Sequence, residues 1–173
     1  YLEKYLDIDP YSENIWFNLG LLYSSGKKYE DAIKAYDYAI AICPEFTSAY
    51  TSKADTHVCN NNYYGAIEVY KELIVIDNKN ARLYCNIGDC YKKLGNYKSA
   101  IENYDKAIKI ENDYSDAWYR IGVSWFHLFK YHKSIYYLRK AIKIKANISE
   151  YWFLLAEVCV KITHYKRAVR AYT

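Results

Sequence analysis

The sequence repeats itself every 34 residues, and this period is the strongest constraint on how the chain can fold. One repeat position is always aromatic and is held by Trp16, Tyr50, Tyr84, Trp118 and Trp152. Another is always small and is held by Gly20, Ala54, Gly88, Gly122 and Ala156. A fixed period of this length is typical of a solenoid, in which one unit cannot bury its apolar face alone and stacks on its neighbours.

Within each repeat the apolar residues follow helical spacing. They recur at intervals of three and four residues, as in Trp16, Leu19 and Tyr23, and this spacing places them on one face of an α-helix. Ala32 and Tyr36 begin a second stripe of the same kind. Helices approach closely only where side chains are small, so the small positions mark helix crossings and the aromatic rings fill the space around them.

These residues form a motif that resembles the tetratricopeptide repeat family. In chain order the motif residues are Trp16, Leu19, Gly20, Tyr23, Ala32, Tyr36, Ala39 and Pro44. The resemblance covers the whole chain. Its departures are mild, namely Lys53 and His57 in the second repeat, and Asn78, Asn112 and Ala146 in place of the terminal proline. It implies an all-α fold, an α-α superhelix (solenoid) of stacked antiparallel helix hairpins with a concave groove that binds peptides.

The period divides the chain into one array, residues 1–173. We predict a partial repeat at 1–12, four repeats at 13–46, 47–80, 81–114 and 115–148, and a partial repeat at 149–173. Both ends fall inside a repeat and neither carries the polar outer face of a terminal repeat. We therefore expect the sequence to be a fragment of a longer array.

The pattern also predicts helix bounds and caps. The predicted helices are 13–25, 29–42, 47–60, 63–76, 81–94, 97–110, 115–128, 131–144 and 149–162, with a partial helix from 165. Gly26 and Gly95 are expected to end first helices in a left-handed conformation. Ser115 and Ser149 are expected to be N-caps, since an acidic residue follows each of them and favours the positive end of a helix.

Composition excludes several classes of protein. No apolar run approaches the roughly 20 residues of a membrane span, so membrane insertion is not expected. We expect an intracellular, cytoplasmic location. The five cysteines occupy unrelated repeat positions, which indicates reduced thiols without a metal site. The four histidines are scattered and no glycine-rich phosphate loop is present. We therefore expect neither catalysis nor a cofactor.

Candidate binding residues follow from the resemblance, which implies that the groove is lined by the first-helix face opposite the packing face. The candidates are Asn14, Phe17, Asn18, Leu21, Thr51, Ser52, Asp55, Arg82, Asn86, Asp89, Tyr119, Arg120, Val123, Phe153 and Glu157. The same repeat positions also hold Ser48, Cys85, Asp116, Glu150 and Leu154.

Each class of candidate has an expected role in binding a peptide. Amide and guanidinium groups, as on Asn18, Asn86 and Arg120, can bond a peptide backbone or carboxylate, and Phe17, Tyr119 and Phe153 offer apolar anchors. Asp55 and Asp89 would favour a basic residue nearby. For a single position, a solvated helix surface is the simpler interpretation.

One known binding mode of the family is not expected here. Chaperone-binding members grip a C-terminal carboxylate with basic and amide residues on three successive first helices. Asn86 and Arg120 match that pattern, but Thr51, Asp55 and Asp116 stand where lysine, asparagine and lysine are required. In the register that starts one repeat earlier, Phe17 and Leu21 already fail to match.

Charge is distributed unevenly along the chain. Residues 1–86 hold eight Lys or Arg against twelve Asp or Glu, whereas residues 87–173 hold sixteen against eight, with the excess concentrated after Phe129. The favoured interpretation is a solvated outer face, because the lysines are not interleaved with exposed stacking aromatics. The alternative is that this basic C-terminal end binds RNA or an anionic surface.

The sequence therefore predicts a protein-protein interaction scaffold whose concave groove binds a peptide or protein segment. Nucleic acid is not the expected partner, and truncated ends can associate end to end. The alternative hypothesis is a regulatory or targeting segment of a larger multidomain enzyme, such as a glycosyltransferase or phosphatase, whose catalytic domain lies outside this sequence.

Overall fold

The computed structural model describes the backbone of residues 11–172 and the side chains of residues 11–163. Apart from Tyr11 and Ser12, the predicted partial repeat 1–12 lies outside the described residues. Within them the chain forms helices and no strand. The helices are α1 (Glu13–Ser25), α2 (Tyr29–Ile42), α3 (Thr47–Cys59), α4 (Tyr63–Ile76), α5 (Ala81–Lys93), α6 (Tyr97–Ile110), α7 (Ser115–His127), α8 (Tyr131–Ile144) and α9 (Ser149–Tyr172).

The helices belong to two compact units, unit 1 (Tyr1–Lys79) and unit 2 (Asn80–Thr173). Unit 1 contains the hairpins α1–α2 and α3–α4, and unit 2 contains α5–α6, α7–α8 and the single helix α9. Within each unit, consecutive helices pack against each other. None of the helices that the structure describes combines the length and apolar character that a bilayer span needs.

Helix bounds agree closely with the sequence pattern. Every helix begins at the predicted residue, and α3, α5 and α7 end one residue earlier than predicted, at Cys59, Lys93 and His127. The agreement follows because the turns of all four hairpins have the same length, so their helices begin at the same repeat positions.

Each hairpin turns through one residue in the left-handed region, and these residues again obey the 34-residue period. They are Lys27 (φ 59°), Asn61 (φ 56°), Gly95 (φ 74°) and Phe129 (φ 58°). In the first turn the Lys27 amide donates to the Ser24 carbonyl (3.0 Å) and the next amide to the Tyr23 carbonyl (2.9 Å). This pair of bonds is the Schellman motif, which satisfies carbonyls that the helix end leaves free.

The expectation that Gly26 takes the left-handed conformation was wrong. Gly26 has φ −79°, and the left-handed residue is Lys27, one position later. In a Schellman motif the left-handed residue is the one after the C-cap, and the C-cap of α1 is Gly26. Gly95 does lie at the left-handed position, as predicted.

The predicted break between residues 162 and 165 is absent, and α9 continues from Ser149 to Tyr172. The left-handed position of this repeat falls on Thr163, a β-branched residue for which positive φ is strongly disfavoured. Its Oγ1 instead donates to the Val160 carbonyl (2.8 Å), a bond made within a helical turn. The side chains of the predicted second helix lie outside the described residues.

N-caps also differ from the prediction at both serines, since Ser149 is the first helical residue of α9 and Ser115 is the first of α7. The cap of α7 is Tyr114, and Ser115 is the first helical residue without a capping bond. Ser115 is buried, and its hydroxyl lies 3.3 Å from the hydroxyl of Tyr151, so packing takes precedence over capping. Side-chain caps occur instead at three asparagines, namely Asn62, Asn80 and Asn96.

In three of the four hairpins the two helices cross at a glycine of the first helix, whereas the second hairpin has Ala54 at that position. A Cβ added at Gly20 would lie 2.5 Å from a ring atom of Tyr36, and one at Gly122 would lie 2.9 Å from Leu138. The space beside Gly88 is filled in the same way by the ring of Tyr104. Both tyrosines are fully buried, so the missing glycine side chains admit the largest rings of the core.

Equivalent positions have equivalent surroundings in different hairpins. In the first, third and fourth hairpins, the aromatic ring near the start of the first helix is contacted by the side chain at one repeat position of the second helix. Trp16 contacts Tyr38 (centroids 4.4 Å apart), while Lys106 lies 5.8 Å from the ring centroid of Tyr84. Thirty-four residues later Lys140 lies 6.0 Å from the Trp118 ring. The period of the sequence is thus a period of contacts.

The left-handed turns yield a stability prediction. We expect Lys27→Gly to raise the free energy of unfolding by about 1 kcal/mol, because glycine adopts φ 59° without a Cβ clash. Gly95→Ala should lower it by about 1 kcal/mol for the converse reason. Urea unfolding followed by circular dichroism measures both.

A matched control for these variants is Gly26→Ala. Gly26 has an ordinary φ, and the atoms nearest to an added Cβ lie 3.5 Å away, so this variant should not be destabilised. The turn assignment would be contradicted if Lys27→Gly lowered the urea midpoint while Gly26→Ala behaved like Gly95→Ala.

Buried tyrosines yield a pH prediction. Burial raises the pKa of Tyr36 and Tyr104 above the ordinary value and raises that of Tyr151 to about 12. Burial likewise raises the pKa of the Cys85 thiol to about 11. Since these folded-state values exceed the unfolded ones, their contribution to stability is present at lower pH and is lost as pH rises through the folded pKa values.

We therefore expect the free energy of unfolding to fall above a pH of about 10, where unfolded tyrosines ionise. Urea midpoints measured at pH 9, about 10 and about 11 test this. Tyr104→Phe should show a smaller fall over the same range because it lacks one ionising group. An equal fall in the variant and the wild type would contradict the assignment to buried tyrosine.

Candidate functional site

Residues 31 apart meet on neighbouring first helices of unit 2. Asp89 of α5 forms an ion pair with Arg120 of α7, and Tyr119 of α7 donates to Glu150 of α9 (2.8 Å). The period of 34 less one helical turn produces this separation, since first helices in successive hairpins lie side by side. Polar side chains that were predicted to face a groove therefore pair with each other between neighbouring first helices.

Asp89 is the centre of the first polar cluster. Its Oδ1 accepts from the hydroxyl of Tyr104 (2.8 Å) and from Nζ of Lys92 (3.1 Å), while Oδ2 pairs with the Arg120 guanidinium. One carboxylate thus satisfies a buried hydroxyl and two cations, the strong charge-assisted kind of hydrogen bond. Burial lowers the pKa of Lys92.

A second cluster lies between α7 and α9. The rings of Tyr119 and Tyr151 stack with centroids 4.8 Å apart and an interplanar angle of 23°. The Tyr151 hydroxyl donates to Asp116, and Glu150 accepts from Tyr119. Burial, followed by the bond to the carboxylate, raises the pKa of each tyrosine, so both remain protonated donors.

The two clusters border one cleft of about 530 Å³, which we name the unit 2 cleft. Its described lining is Asp89, Lys92, Lys93, Asp116, Tyr119, Arg120, Ile148, Glu150 and Tyr151. Three carboxylates and three cations lie together there. The Asp89 carboxylate is matched by Arg120 and Lys92, whereas Asp116 and Glu150 accept hydrogen bonds from tyrosines.

The cleft contains three of the residues predicted in unit 2, namely Asp89, Tyr119 and Arg120. The other five predicted residues of this unit do not line it, and they are Arg82, Asn86, Val123, Phe153 and Glu157. Arg82 is exposed, and Phe153 is 74% exposed. Val123 packs against the cluster that contains Leu154 and Val158, so it serves the core.

Two residues at the predicted groove positions are buried. Cys85 is 1% exposed and Leu154 is 8% exposed. Cys85 belongs to the core cluster with Tyr104 and Ile121, and Leu154 packs with Leu138. These two side chains therefore belong to the core and are not available to a ligand.

In unit 1 the predicted residues form a separate set on α1 and α3. Asn14, Asn18, Leu21 and Asp55 are exposed, whereas Phe17, Thr51 and Ser52 are half-buried. The Phe17 ring packs on Phe46 (5.0 Å) and on Tyr36 (5.9 Å).

Several polar residues of unit 1 also have partners within the unit. Asp55 accepts from the hydroxyl of Tyr70 (2.7 Å), and Thr51 donates to the Thr47 carbonyl (3.0 Å). Asn14 donates to the side chain of Glu13 (2.8 Å). Asn18 and Leu21 are thus the predicted side chains of α1 that are most available to a ligand.

Sequence reasoning missed four residues of the unit 2 cleft, namely Lys92, Lys93, Ile148 and Tyr151. Lys92 follows Asp89 by three residues on the same helix, a spacing that favours an ion pair and could have indicated it. Tyr151 occupies a repeat position held elsewhere by Ile15, Ala49, Leu83 and Ala117. A tyrosine at that apolar position was the available signal.

The Asp89 cluster yields a prediction on stability. Asp89→Ala leaves the fully buried Tyr104 hydroxyl without its acceptor and removes the partner of two cations. We expect it to lower the free energy of unfolding by about 2 to 3 kcal/mol. Asp89→Asn keeps an acceptor for the hydroxyl and should cost about 1 kcal/mol. Urea unfolding of both variants measures the difference.

Arg120→Gln is the control for the cation. Arg120 is partly exposed, so its removal should cost less than Asp89→Ala, about 1 kcal/mol. Equal losses in Asp89→Ala and Asp89→Asn would contradict the importance of the tyrosine hydroxyl, since only the alanine variant leaves it without an acceptor.

Comparison with known families finds repeats over most of the chain. A tetratricopeptide repeat model matches residues 14–46 and 81–114, a TPR repeat model matches residues 54–95, and a further tetratricopeptide repeat model matches residues 115–148. Among curated protein sequences there is no significant match.

Similar folds occur among solved structures. MamA superposes with a TM-score of 0.75 at 22% identity, over 86% of this chain and 87% of MamA. PilF of Pseudomonas aeruginosa gives 0.70 at 21% identity, over 92% of this chain and 73% of PilF. The first TPR of Spaghetti (RPAP3), solved with the HSP90 peptide SRMEEVD, gives 0.63 at 20% identity, over 68% and 93%. The predicted all-α solenoid of stacked helix hairpins is thus confirmed.

Proposed function

This chain belongs to the tetratricopeptide repeat family, and on that premise we propose that its unit 2 cleft binds a segment of a partner protein that carries a basic side chain. The fold supports a protein-interaction scaffold. The segment lies along the first helices α5, α7 and α9, and the exposed residues Arg82 and Phe153, with the half-buried Asn86, extend the contact beyond the cleft.

The observation that carries the proposal is the pair of carboxylates beside the stacked tyrosines. Asp116 and Glu150 accept hydrogen bonds from neutral hydroxyls, and no ion pair to either is present among the described residues. Each carboxylate has further lone pairs for a ligand. An incoming lysine or arginine gains two opposite charges, and the Tyr119 ring adds a surface for its aliphatic part.

The first cluster, centred on Asp89, makes the site rigid before binding. Asp89 is already bonded to Tyr104, Lys92 and Arg120, so Arg120 is held by a carboxylate of its own chain. This supports a scaffold role for Arg120 in place of the direct ligand contact expected from sequence. A preorganised wall lowers the entropy lost on binding.

The neighbour solved with a peptide supplies a useful contrast. The RPAP3 domain is described with the HSP90 peptide SRMEEVD, whose end is acidic. Here Asp116 stands where a clamp of that kind requires a lysine, and it lies in the unit 2 cleft. The SRMEEVD peptide is therefore the negative control, and we expect it to bind more weakly than a basic peptide.

Selection from a random peptide library on phage, followed by fluorescence anisotropy with the selected peptides, tests the proposal. We expect enrichment of lysine and arginine. The double variant Asp116→Asn, Glu150→Gln keeps hydrogen-bond acceptors but loses both charges, and it should bind the selected peptides about tenfold more weakly.

The matched control is Glu102→Gln with Asp105→Asn on α6, which removes the same charges from the second helix of the preceding hairpin. It should bind as the wild type does. Enrichment of acidic peptides, or equal affinity for the wild type and the cleft variant, would contradict the proposed site.

A further inference from the structure

Helix α8 differs from the other second helices in its charge. Between Tyr131 and Ile144 it carries His132, Lys133, Arg139, Lys140 and Lys143, and it contains no aspartate or glutamate. The second helices α2, α4 and α6 each carry residues of both signs. Surfaces of soluble proteins usually intersperse the two signs, and a face of one sign creates a field that attracts opposite charges.

Part of this basic helix borders a cleft of about 430 Å³, which we name the α8 cleft. Its described lining is His132, Ile135, Tyr136, Arg139, Lys140 and Lys143. These residues follow one another at helical spacing, so they form a single stripe about 16 Å long. The α8 cleft shares no residue with the unit 2 cleft.

The basic side chains of the α8 cleft are exposed. The ion pairs found in the part of the chain that the structure describes involve none of them. Lys140 lies over two rings, 5.7 Å from the Tyr136 centroid and 6.0 Å from that of Trp118. These contacts place its ammonium group near aromatic rings and leave it without a carboxylate partner among the described residues.

The equivalent stripe of α6 shows that the charge is particular to α8. One period earlier, Glu102 and Asp105 stand where α8 has Tyr136 and Arg139. There the carboxylates offset Lys106 and its neighbours. The same fold position thus carries a balanced surface in one hairpin and a wholly basic one in the next, so packing does not require the basic residues.

The shape and the aromatic contacts favour one class of anionic partner. Tyr136 is the exposed aromatic of the cleft, but Lys140 covers its ring and Tyr137 meets it edge-on at 5.2 Å and 89°. These contacts compete with base stacking on the Tyr136 ring, on which single-stranded nucleic acid binding relies. A membrane surface favours protruding apolar side chains, whereas here Ile135 is half-buried and packs against the core.

We propose that the α8 cleft is a second protein-binding surface, whose partner is an acidic segment of another protein. About five extended residues, or about ten helical ones, span the stripe. Carboxylates of that segment meet Arg139, Lys140 and Lys143, and its apolar atoms cover the ring edge of Tyr136. The inference is independent of the unit 2 cleft, which takes a basic side chain.

Fluorescence anisotropy with a labelled peptide of about ten glutamates tests the proposal, because such a peptide spans the stripe even when helical. The variant Arg139→Gln, Lys140→Gln, Lys143→Gln should bind it about tenfold more weakly, given a factor of two to three for each exposed ion pair. All three positions are exposed, and circular dichroism verifies the fold of the variant.

The matched control is Lys98→Gln, Lys106→Gln, Lys109→Gln on α6. It removes three exposed lysines from the same face of the preceding hairpin, and it should lose less than about threefold. Equal losses in the two triple variants would overturn the proposal, because they would show attraction by net charge alone.

Three further arms address other occupants of the α8 cleft. Tighter binding of oligouridine, or of vesicles containing phosphatidylserine, than of the glutamate peptide would overturn the assignment to a protein segment. Analytical ultracentrifugation addresses a second copy of this chain. A self-association that the α8 variant abolishes, with peptide binding unchanged, would also overturn it.

Discussion

The close crossing of the two helices in each hairpin is the contact on which the rest of the structure depends. At Gly88 the absent side chain admits the ring of Tyr104, which is then fully buried. A buried hydroxyl needs a hydrogen-bond partner, since leaving it without one costs free energy. The partner is Asp89, the neighbour of the glycine. Core packing thereby places a carboxylate at the edge of the unit 2 cleft.

The hydroxyl and the carboxylate are paired in the second and third hairpins and are both absent from the fourth. In the second hairpin Tyr70 donates to Asp55, which repeats the pair of Tyr104 and Asp89. In the fourth hairpin Leu138 replaces the tyrosine and Val123 replaces the aspartate. In the first, Tyr36 is retained but Leu21 stands at the position of the aspartate. Asp55 and Asp89 are thus explained by the rings that they serve.

The helices and turns were predictable because the period determines both at once. Contacts inside a hairpin join residues at fixed separations, so a motif that recurs in sequence recurs in space. Two of the misplaced details concern backbone geometry. The left-handed residue is Lys27 because the Schellman bonds fix its position relative to the last turn. The expected turn near Thr163 fails because a β-branched side chain resists that conformation.

The candidate site was predictable only in part, for a different physical reason. Register placed Asp89, Tyr119 and Arg120 on the inner face, and the structure brings all three to the unit 2 cleft. Their partners depend on how one hairpin rotates against the next, which a repeat motif does not specify. Arg120 is therefore bound to Asp89, although its sequence position alone suggested a free guanidinium.

The two proposed surfaces of unit 2 use charge in opposite ways. In the unit 2 cleft the cation of Arg120 is already paired, and a ligand must fit beside groups that are held in place. Such a site discriminates by geometry, because mismatched charges lose their solvation without gaining a partner. On α8 the unpaired charges of Arg139 and Lys143 attract an acidic segment at a distance and mainly increase its association rate. Since one cleft favours a cation and the other favours carboxylates, a single short segment of one charge cannot satisfy both. A partner that uses both surfaces must present two segments of opposite sign.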